Sequence, residues 1–534
     1  MALSHRVRER ILVLCAVLLA AAAAAWQLLP TSDPGGRPLT VGTADPVSSL
    51  DPAGGHDAGS RALHGNLYQS LLTLSPGGVA PVPDAAESCA FNGLNLRTYV
   101  CELRDDLTFA GGRKVSAEDV VHSFRRQLRI AAKSGPHSGP YPGSPSSVFG
   151  TLESVAAQGR TVTFRLNARD ATFPLQLACG AGAIVDRDRY PEDELREGGR
   201  VDGSGPYVLA EYEPGVRAVL EPNPSYRGAF ATASRTSVEV RWFGAPEELA
   251  DAWRAGRVDV AHRRLPAELL LDPDPDAVHA GAQVHESHGA EIRTLVFNVR
   301  PGAPLENRAV RQAIASVVDR ARLTASGAGP GFAVRPLYSL IPQGVLGHGT
   351  PFFDRYPEPD ATRAEQLLND AGVATPVDFT LVHAEGGGPA REAAELRRQL
   401  EATELFRVRV VDEERQRFRR SHAKGGYDAY AVGWLPGFPD PDGFSRPLVG
   451  PAPAVGSGYA SAAVREALAA TRQHADRGRA VEDFKALQRV VAGDVPLLPL
   501  WQAEDHVLSS GDVAGAEHLS DGTGIWRLWS LARL

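Results

Sequence analysis

Residues 294–323 read TLVFNVRPGAPLENRAVRQAIASVVDRARL, and no other stretch constrains the fold as tightly. The apolar run at its start suits a buried strand, which ends at Asn298 and enters a proline-containing turn. From Asn307 the period changes. Val310, Ile314, Val317 and Val318 fall at i, i+4, i+7 and i+8, so they line one face of a helix. Arg308, Arg311, Asp319 and Arg320 fall largely off that face. A strand, a short turn and an amphipathic helix in succession make a unit of α/β architecture.

The same alternation runs along the chain. TVTFRLN, SVEVRWF, DFTLVHA and FRVRVVD read as strands. SRALHGNLYQSLLTL, REAAELRRQLEAT and TRAEQLLNDAG read as helices, the last closed by Gly372. Ser116 is expected as a helix N-cap, with Asp119 three residues on as its capping-box partner. No tandem repeat is found. The chain has 534 residues, 43% of them hydrophobic. That exceeds what one core holds, since cores stop growing at roughly 250–300 residues. A formal net charge of -8 and the lack of a basic block argue against nucleic acid as a partner.

The N-terminus carries its own signal. Arg6, Arg8 and Arg10 precede an uncharged run over residues 11–29. A bilayer core needs about 20 helical residues, so the run is long enough to serve as a transmembrane helix and anchor. The arginines then stay cytoplasmic and everything after Pro30 lies outside. A cleaved signal peptide, cut near the small residues 21–25, explains the same segment equally well. Lipidation at Cys15 is disfavoured by Leu14 before it and by the apolar run that continues past it. Each reading exports the body of the chain. In an oxidising compartment Cys89 and Cys101, on strands flanking an Asn-Gly turn, are placed to form a disulfide across a hairpin. Cys179 is left over and is expected to be buried.

Several segments share an order with a known family. LTVGTADPVSSLDPA, FAGGRKVSAEDVVHSF, GSGPYVLAEYEPG, NPSYRG, VRQAI followed by Asp-Arg, AEQLLNDAG and GWLPGFPDPDGF stand in succession. Together they resemble extracytoplasmic solute-binding proteins of the oligopeptide/dipeptide/nickel class, solute-binding family 5. Gly111 stands where that family usually has Asp, and Arg227 where it has Trp. The resemblance implies an α/β, two-lobed periplasmic-binding-protein-like fold (type II, large peptide-binder class) with an inserted sub-domain in lobe I. By analogy, residues 1–38 are a leader and linker, residues 39–293 plus 499–534 form lobe I, and residues 294–498 form lobe II. Residues 79–190 are the sub-domain inserted in lobe I. The implied function is capture of a peptide-like or other small solute between the lobes and delivery to the permease subunits of an ABC importer. A monomer is implied, in the periplasmic space or on the cell membrane, with no cofactor. The alternative is a membrane-tethered sensory receptor built on the same fold.

Residues 433–444, GWLPGFPDPDGF, are the sharpest candidate site. Trp434 and Phe438 offer flat faces to a ligand, with Leu435 and Gly437 between them, on a loop stiffened by prolines. In peptide-binding relatives an Asp after the Trp accepts the peptide α-amine, a charge-assisted bond. Gly437 holds that place here, and Asp440 with Pro441 matches a structural Asp-Pro of the family. Solutes without a free α-amine are therefore expected. Val47, Ser48 and Ser49 are expected to face this loop from lobe I, with Asp51-Pro52 capping a turn. Tyr207 and Asn298 are expected to brace the hinge or cleft. Arg335 suits either a ligand carboxylate or a solvated surface position. His285 and His288, in HESH, and nearby His279 read as loop residues and not as metal ligands, because the spacing is not HExxH. No GxSxG elbow, P-loop or GxGxxG fingerprint occurs, so no enzyme is expected.

Overall fold

Two long strands organise the computed structural model. It describes residues 37–534 apart from 56, 79, 134–147, 234–235, 275, 326–331, 452 and 521–523, and apart from the side chains of 416, 419 and 423. Strands β12 (Gln283–Phe297) and β17 (Leu497–Ser509) pair antiparallel, from Gln283↔Ser509 to Val296↔Leu497. One end of this ladder belongs to the first half of the chain. There β11 (Val260–His262) pairs with β17, and β1 (Leu39–Thr43) runs parallel to both β11 and β10 (Val238–Trp242). β9 (Arg217–Pro222) and β8 (Tyr207–Glu213) complete that edge. At the other end β16 (Ala429–Trp434) pairs with β12, from Ile292↔Trp434 to Phe297↔Ala429. β14 (Val377–Ala384) lies parallel to β16 and to the edge strand β15 (Phe406–Glu413). Short β13 (Val334–Pro336) adds to β17. The sheet has eleven strands, and β12 and β17 are common to both halves.

The amphipathic helix forms where its period placed it. It spans Arg308–Val317, and Asn307 caps it by accepting from the Ala309 amide at 2.9 Å. Val310, Ile314, Val317 and Val318 are all buried in the second half's core, beside Leu295, Phe297 and Leu396. Burying each such side chain contributes about 1.5–3 kcal/mol. The arginines off this face do not go to solvent. Arg311 is buried and donates to the carbonyls of Leu305, Glu306, Asp494 and Val495. Arg320 is buried, donates to Pro499 O at 2.8 Å, and lies 4.6 Å from the Tyr338 ring centre. Burial lowers both guanidinium pKa values to about 10. Their carbonyl partners compensate for lost hydration, so the Arg-Gln-Ala-Ile and Asp-Arg segments are structural.

A second, four-stranded sheet has the order β4 (Ala86–Phe91), β5 (Thr98–Leu103), β7 (Thr161–Leu166), β6 (Leu152–Gln158). Helix Ala117–Lys133 packs on it, and Tyr99, Phe124, Phe149, Phe164 and Phe173 meet edge to face in its core. Cys89 lies opposite Cys101 in the β4–β5 register, and the two form a disulfide. Cys179 is a buried free thiol. Asp119 accepts from both the amide and the hydroxyl of Ser116, at 2.9 and 2.8 Å, so the capping box closes through its acidic member. β2 (Leu72–Leu74) and β3 (Pro81–Pro83) form a short hairpin nearby.

Two local readings are corrected. The helix read through SRALHGNLYQSLLTL ends at Leu67, because Tyr68 turns extended at φ -121° and LTL becomes β2. HESH is not loop: it lies within β12, paired with β17. The readings of residues 11–29 as anchor or signal, and of Cys15, lie outside the described residues. Among the described residues no helix is long and apolar enough to cross a membrane.

Candidate functional site

A cavity of about 800 Å³ lies where the two halves face each other. Gly77, Pro81, Ala171 and Leu175 line it from the small sheet and its neighbours. Val345, Leu346, Pro436, Pro439, Pro441 and Phe444 line it from the second half. Ser287 and His288, on β12, lie at its wall. The lining is largely apolar, with a few charged groups: Asp440, Asp476, Arg477, Glu517 and Arg527. This combination is that of a small-molecule pocket.

The loop after β16 is rigid through its own bonds. The Trp434 indole N–H donates to Gly443 O at 2.9 Å, and Trp434 is buried. Asp440 accepts from Arg477 Nε at 2.8 Å and Nη2 at 3.0 Å, and from the Asp442 amide at 2.9 Å. Asp442 accepts from Arg472 Nε at 3.0 Å. Burial raises the Asp440 pKa, and the facing Arg477 offsets only part of that. Burial pushes Asp442 the same way, but Arg472 more than reverses it and holds Asp442 below the ordinary carboxylate value. Each carboxylate therefore has its own guanidinium, as buried charges require.

Trp434, Gly437 and Phe438 do come together, but around a separate recess of about 10 Å³ walled also by Val148, Asp442, Gly443 and Pro447. Phe438 enters the aromatic core of the small sheet. Leu435 is buried in the second half's core and approaches Gly524. None of these four lines the large cavity; their neighbours Pro436, Pro439 and Asp440 do. Ser48 and Ser49 stand outside the lining as well. Both amides donate to Ser60 Oγ, at 3.0 and 3.3 Å, and the Ser48 hydroxyl donates to Asp57. Val47 packs on the first half's core. Asp51 caps its turn by accepting from the Ala53 amide at 2.9 Å, and is also paired in the interior with Arg126.

Tyr207 donates to Thr236 O at 3.1 Å within the first half, and Asn298 donates to Gly425 O at 3.2 Å within the second. Arg335 is held by Glu504 at 2.8 Å and Glu286 at 3.1 Å. It fills the space between the two carboxylates that, with His506, form a candidate ligand group among the described residues. His285 bonds Ser509 Oγ at 3.1 Å, and His279 stacks on Trp253 at 3.8 Å.

Sequence reasoning missed the groups that join the halves. Arg61 donates to Pro436 O at 2.5 Å across the boundary. Arg472 reaches Asp170 at 3.4 Å, and its carbonyl accepts from the Ala171 amide at 3.1 Å. The only advance signal was the Asp440, Asp442 pair in PDPDG, two acids in an apolar loop that require buried cations.

Comparison with known proteins fits this architecture. The model for bacterial extracellular solute-binding proteins, family 5 (middle), matches residues 80–455. The probable D,D-dipeptide-binding periplasmic protein DdpA of Escherichia coli is 25% identical over 496 residues, 89% of this chain and 90% of that protein. Di/tripeptide-binding protein 2 of Pseudomonas aeruginosa is 26% identical over 474 residues, covering 81% of this chain and 83% of its own length. Among solved structures, the murein tripeptide binding protein MppA of E. coli superposes with a TM-score of 0.75 at 19% identity, over 93% of this chain and 99% of that one. Haemophilus influenzae OppA gives 0.76 at 19% identity, over 93% and 98%. These likenesses establish the two-lobed α/β fold.

Proposed function

This chain belongs to the bacterial extracellular solute-binding proteins, family 5, and from that membership we propose that it captures a peptide-like or other small solute between its lobes and delivers it to the permease of an ABC importer. The observation that carries the reading is the cavity of about 800 Å³ at the meeting of the halves, within the size range of small-molecule sites. The described relatives bear names of di- and tripeptide binders. The protein works by capture, closure and release, and catalyses nothing. It is a monomer, held at the membrane by residues 11–29 or released after their cleavage.

Lobe I takes residues 39–293 plus 499–534, and lobe II residues 294–498. The face of the loop bearing Pro436, Pro439 and Asp440 meets the solute. Trp434, Leu435, Gly437 and Phe438 support it from behind, and Val47, Ser48 and Ser49 support the facing wall. Tyr207 and Asn298 steady the strand ends on which closure turns. The Asp440 carboxylate is already matched by Arg477. A buried ammonium brought against it gains no unpaired partner, so solutes without a free α-amine are preferred.

Native mass spectrometry of protein purified without refolding identifies the solute. Adding it back is expected to reduce the radius of gyration in small-angle scattering and to raise Tm. Tight binding with an unchanged radius would remove closure from the mechanism. Tight binding of ordinary free-amine peptides, abolished by N-acetylation, would remove the stated preference.

A further inference from the structure

A second cavity, of about 480 Å³, opens on the boundary between the small sheet's sub-domain and the second half, away from the solute cavity. Its distinguishing feature is charge. Arg169, Arg446, Arg465 and Arg472 all line it, and among the described residues no carboxylate does. The sequence explains the arrangement. On helix Ala462–Thr471 and its C-cap, Arg465, Leu468, Ala469 and Arg472 fall at i, i+3, i+4 and i+7, one face of a helix. Glu466 falls off that face. Arg169 comes from the segment after β7, which the Asn167 amide ties to Thr151 O at 2.9 Å. Arg446 lies against Gly150: a Cβ there would stand 2.1 Å from its Nη2.

The buried charges nearby are already balanced. Asp170 and Asp442 face Arg472 at 3.4 and 2.5 Å. Burial and the neighbouring Arg472 both lower the Arg446 pKa, so added negative charge is favoured there. Arg169 and Arg465 are exposed and, among the described residues, form no ion pair. Arg472, balanced by two carboxylates, and Arg446 thus sit at the floor, with Arg169 and Arg465 at the rim.

We propose that this pocket binds a small polyanion, of phosphate or polycarboxylate chemistry, gripped by Arg169 and Arg446 from the two sides of the boundary and by Arg465 at its rim. Guanidinium forks match the paired oxygens of such anions. Because the pocket is assembled from both sides, an anion bound there favours the joined arrangement of the halves. By linkage it strengthens solute binding in the main cavity, and the solute strengthens anion binding by the same factor.

The test is calorimetric titration of the full chain with pyrophosphate and, separately, with citrate, at fixed ionic strength. Saturable binding of either probe supports the proposal, and the stronger one assigns the chemistry. The double variant Arg169→Gln/Arg465→Gln changes only exposed side chains, so its Tm should match the parent's. It is expected to lose at least tenfold in affinity. A control, Arg407→Gln/Arg409→Gln, removes two exposed charges from β15 and is expected to change nothing. Three results would overturn the site: no heat with either probe at millimolar concentration, full affinity in the Arg169/Arg465 variant, or an equal loss in the control. Anion binding is read without any solute, so its failure leaves the importer reading intact, and failure to find a solute leaves this one intact.

Discussion

Arg472, at the end of helix Ala462–Thr471, lies 3.4 Å from Asp170, just after β7, and 2.5 Å from Asp442, the first residue of helix Asp442–Val449. One guanidinium thus joins parts of the chain some hundreds of residues apart, and both carboxylates are buried. Asp170 also accepts from Thr151 and Thr172 hydroxyls at 2.6 Å each, which fixes its orientation.

Arg472→Met leaves two buried carboxylates without their cation. Removing one member of such a group costs about 3–5 kcal/mol. The expected outcome is a urea midpoint lowered accordingly, with a larger radius of gyration in the solute-free protein. Arg472→Lys keeps the charge without the planar fork and should fall between the two. A Met variant as stable as the parent would show that the cluster contributes nothing to holding the halves together.

Acid should act through the same cluster. Asp442 is held below its ordinary value of 3.8 in the folded protein, burial being outweighed by Arg472. A depressed carboxylate pKa contributes stability that is present above the unfolded value and lost as pH falls through the folded one. Asp442→Asn removes that contribution at all pH values. The stability gap between parent and variant is therefore expected to be widest near neutrality and to narrow below about pH 4. Urea unfolding at pH 7, 5, 3.5 and 2.5 checks it; a gap that widens in acid would reverse the assignment.

Much of the fold was legible because it is written in local periods. Val310, Ile314, Val317 and Val318 all reach the core that their spacing implied. The Cys89–Cys101 hairpin was equally local. Errors arose where long-range partners decide. HESH lacks an apolar alternation because its strand meets polar partners on both sides: Ser287 bonds Asp505 at 3.3 Å, and Glu286 bonds Arg335. Nothing in LHGNLYQSLL marks a helix stop, since neither Gly nor Pro follows Leu67 at once; Tyr68 leaves the helix to bond Leu50 O and the Tyr190 hydroxyl. The period placed Arg311 and Arg320 off the apolar face but could not show that they are buried, because their carbonyl partners include residues 494–499. Of residues 433–444, Pro436, Pro439, Asp440, Pro441 and Phe444 line the large cavity, while Trp434, Gly437 and Phe438 line the small recess. Alternation in a Pro- and Gly-rich loop carries no face signal.

The disulfide should stabilise the four-stranded sheet. Cys89 and Cys101 are separated by 12 residues. Closing a loop of that length contributes about 3 kcal/mol in the chain-entropy model. The Cys89→Ser/Cys101→Ser variant is expected to unfold at lower urea, and non-reducing peptide mapping of exported protein should recover the linked pair. Recovery of both thiols alkylated without reductant would count against the bond in the secreted protein.

Gly437→Asp tests which side of the loop faces the solute. If residue 437 pointed into the main cavity, the new carboxylate would create an amine anchor and raise affinity for free-amine peptides. Instead Gly437 borders a recess of about 10 Å³ shared with Trp434, Phe438 and Asp442. A carboxylate added there would enter that recess and not the main cavity. Its charge would also sit beside Asp442, whose guanidinium partner is already engaged. The expected result is a lower Tm with no new preference for free-amine peptides by calorimetry. Asp440→Asn is the complementary change: it leaves Arg477 without its carboxylate at the cavity wall and should favour anionic solutes. A Gly437→Asp protein that keeps its Tm and gains free-amine binding would place residue 437 on the solute side after all.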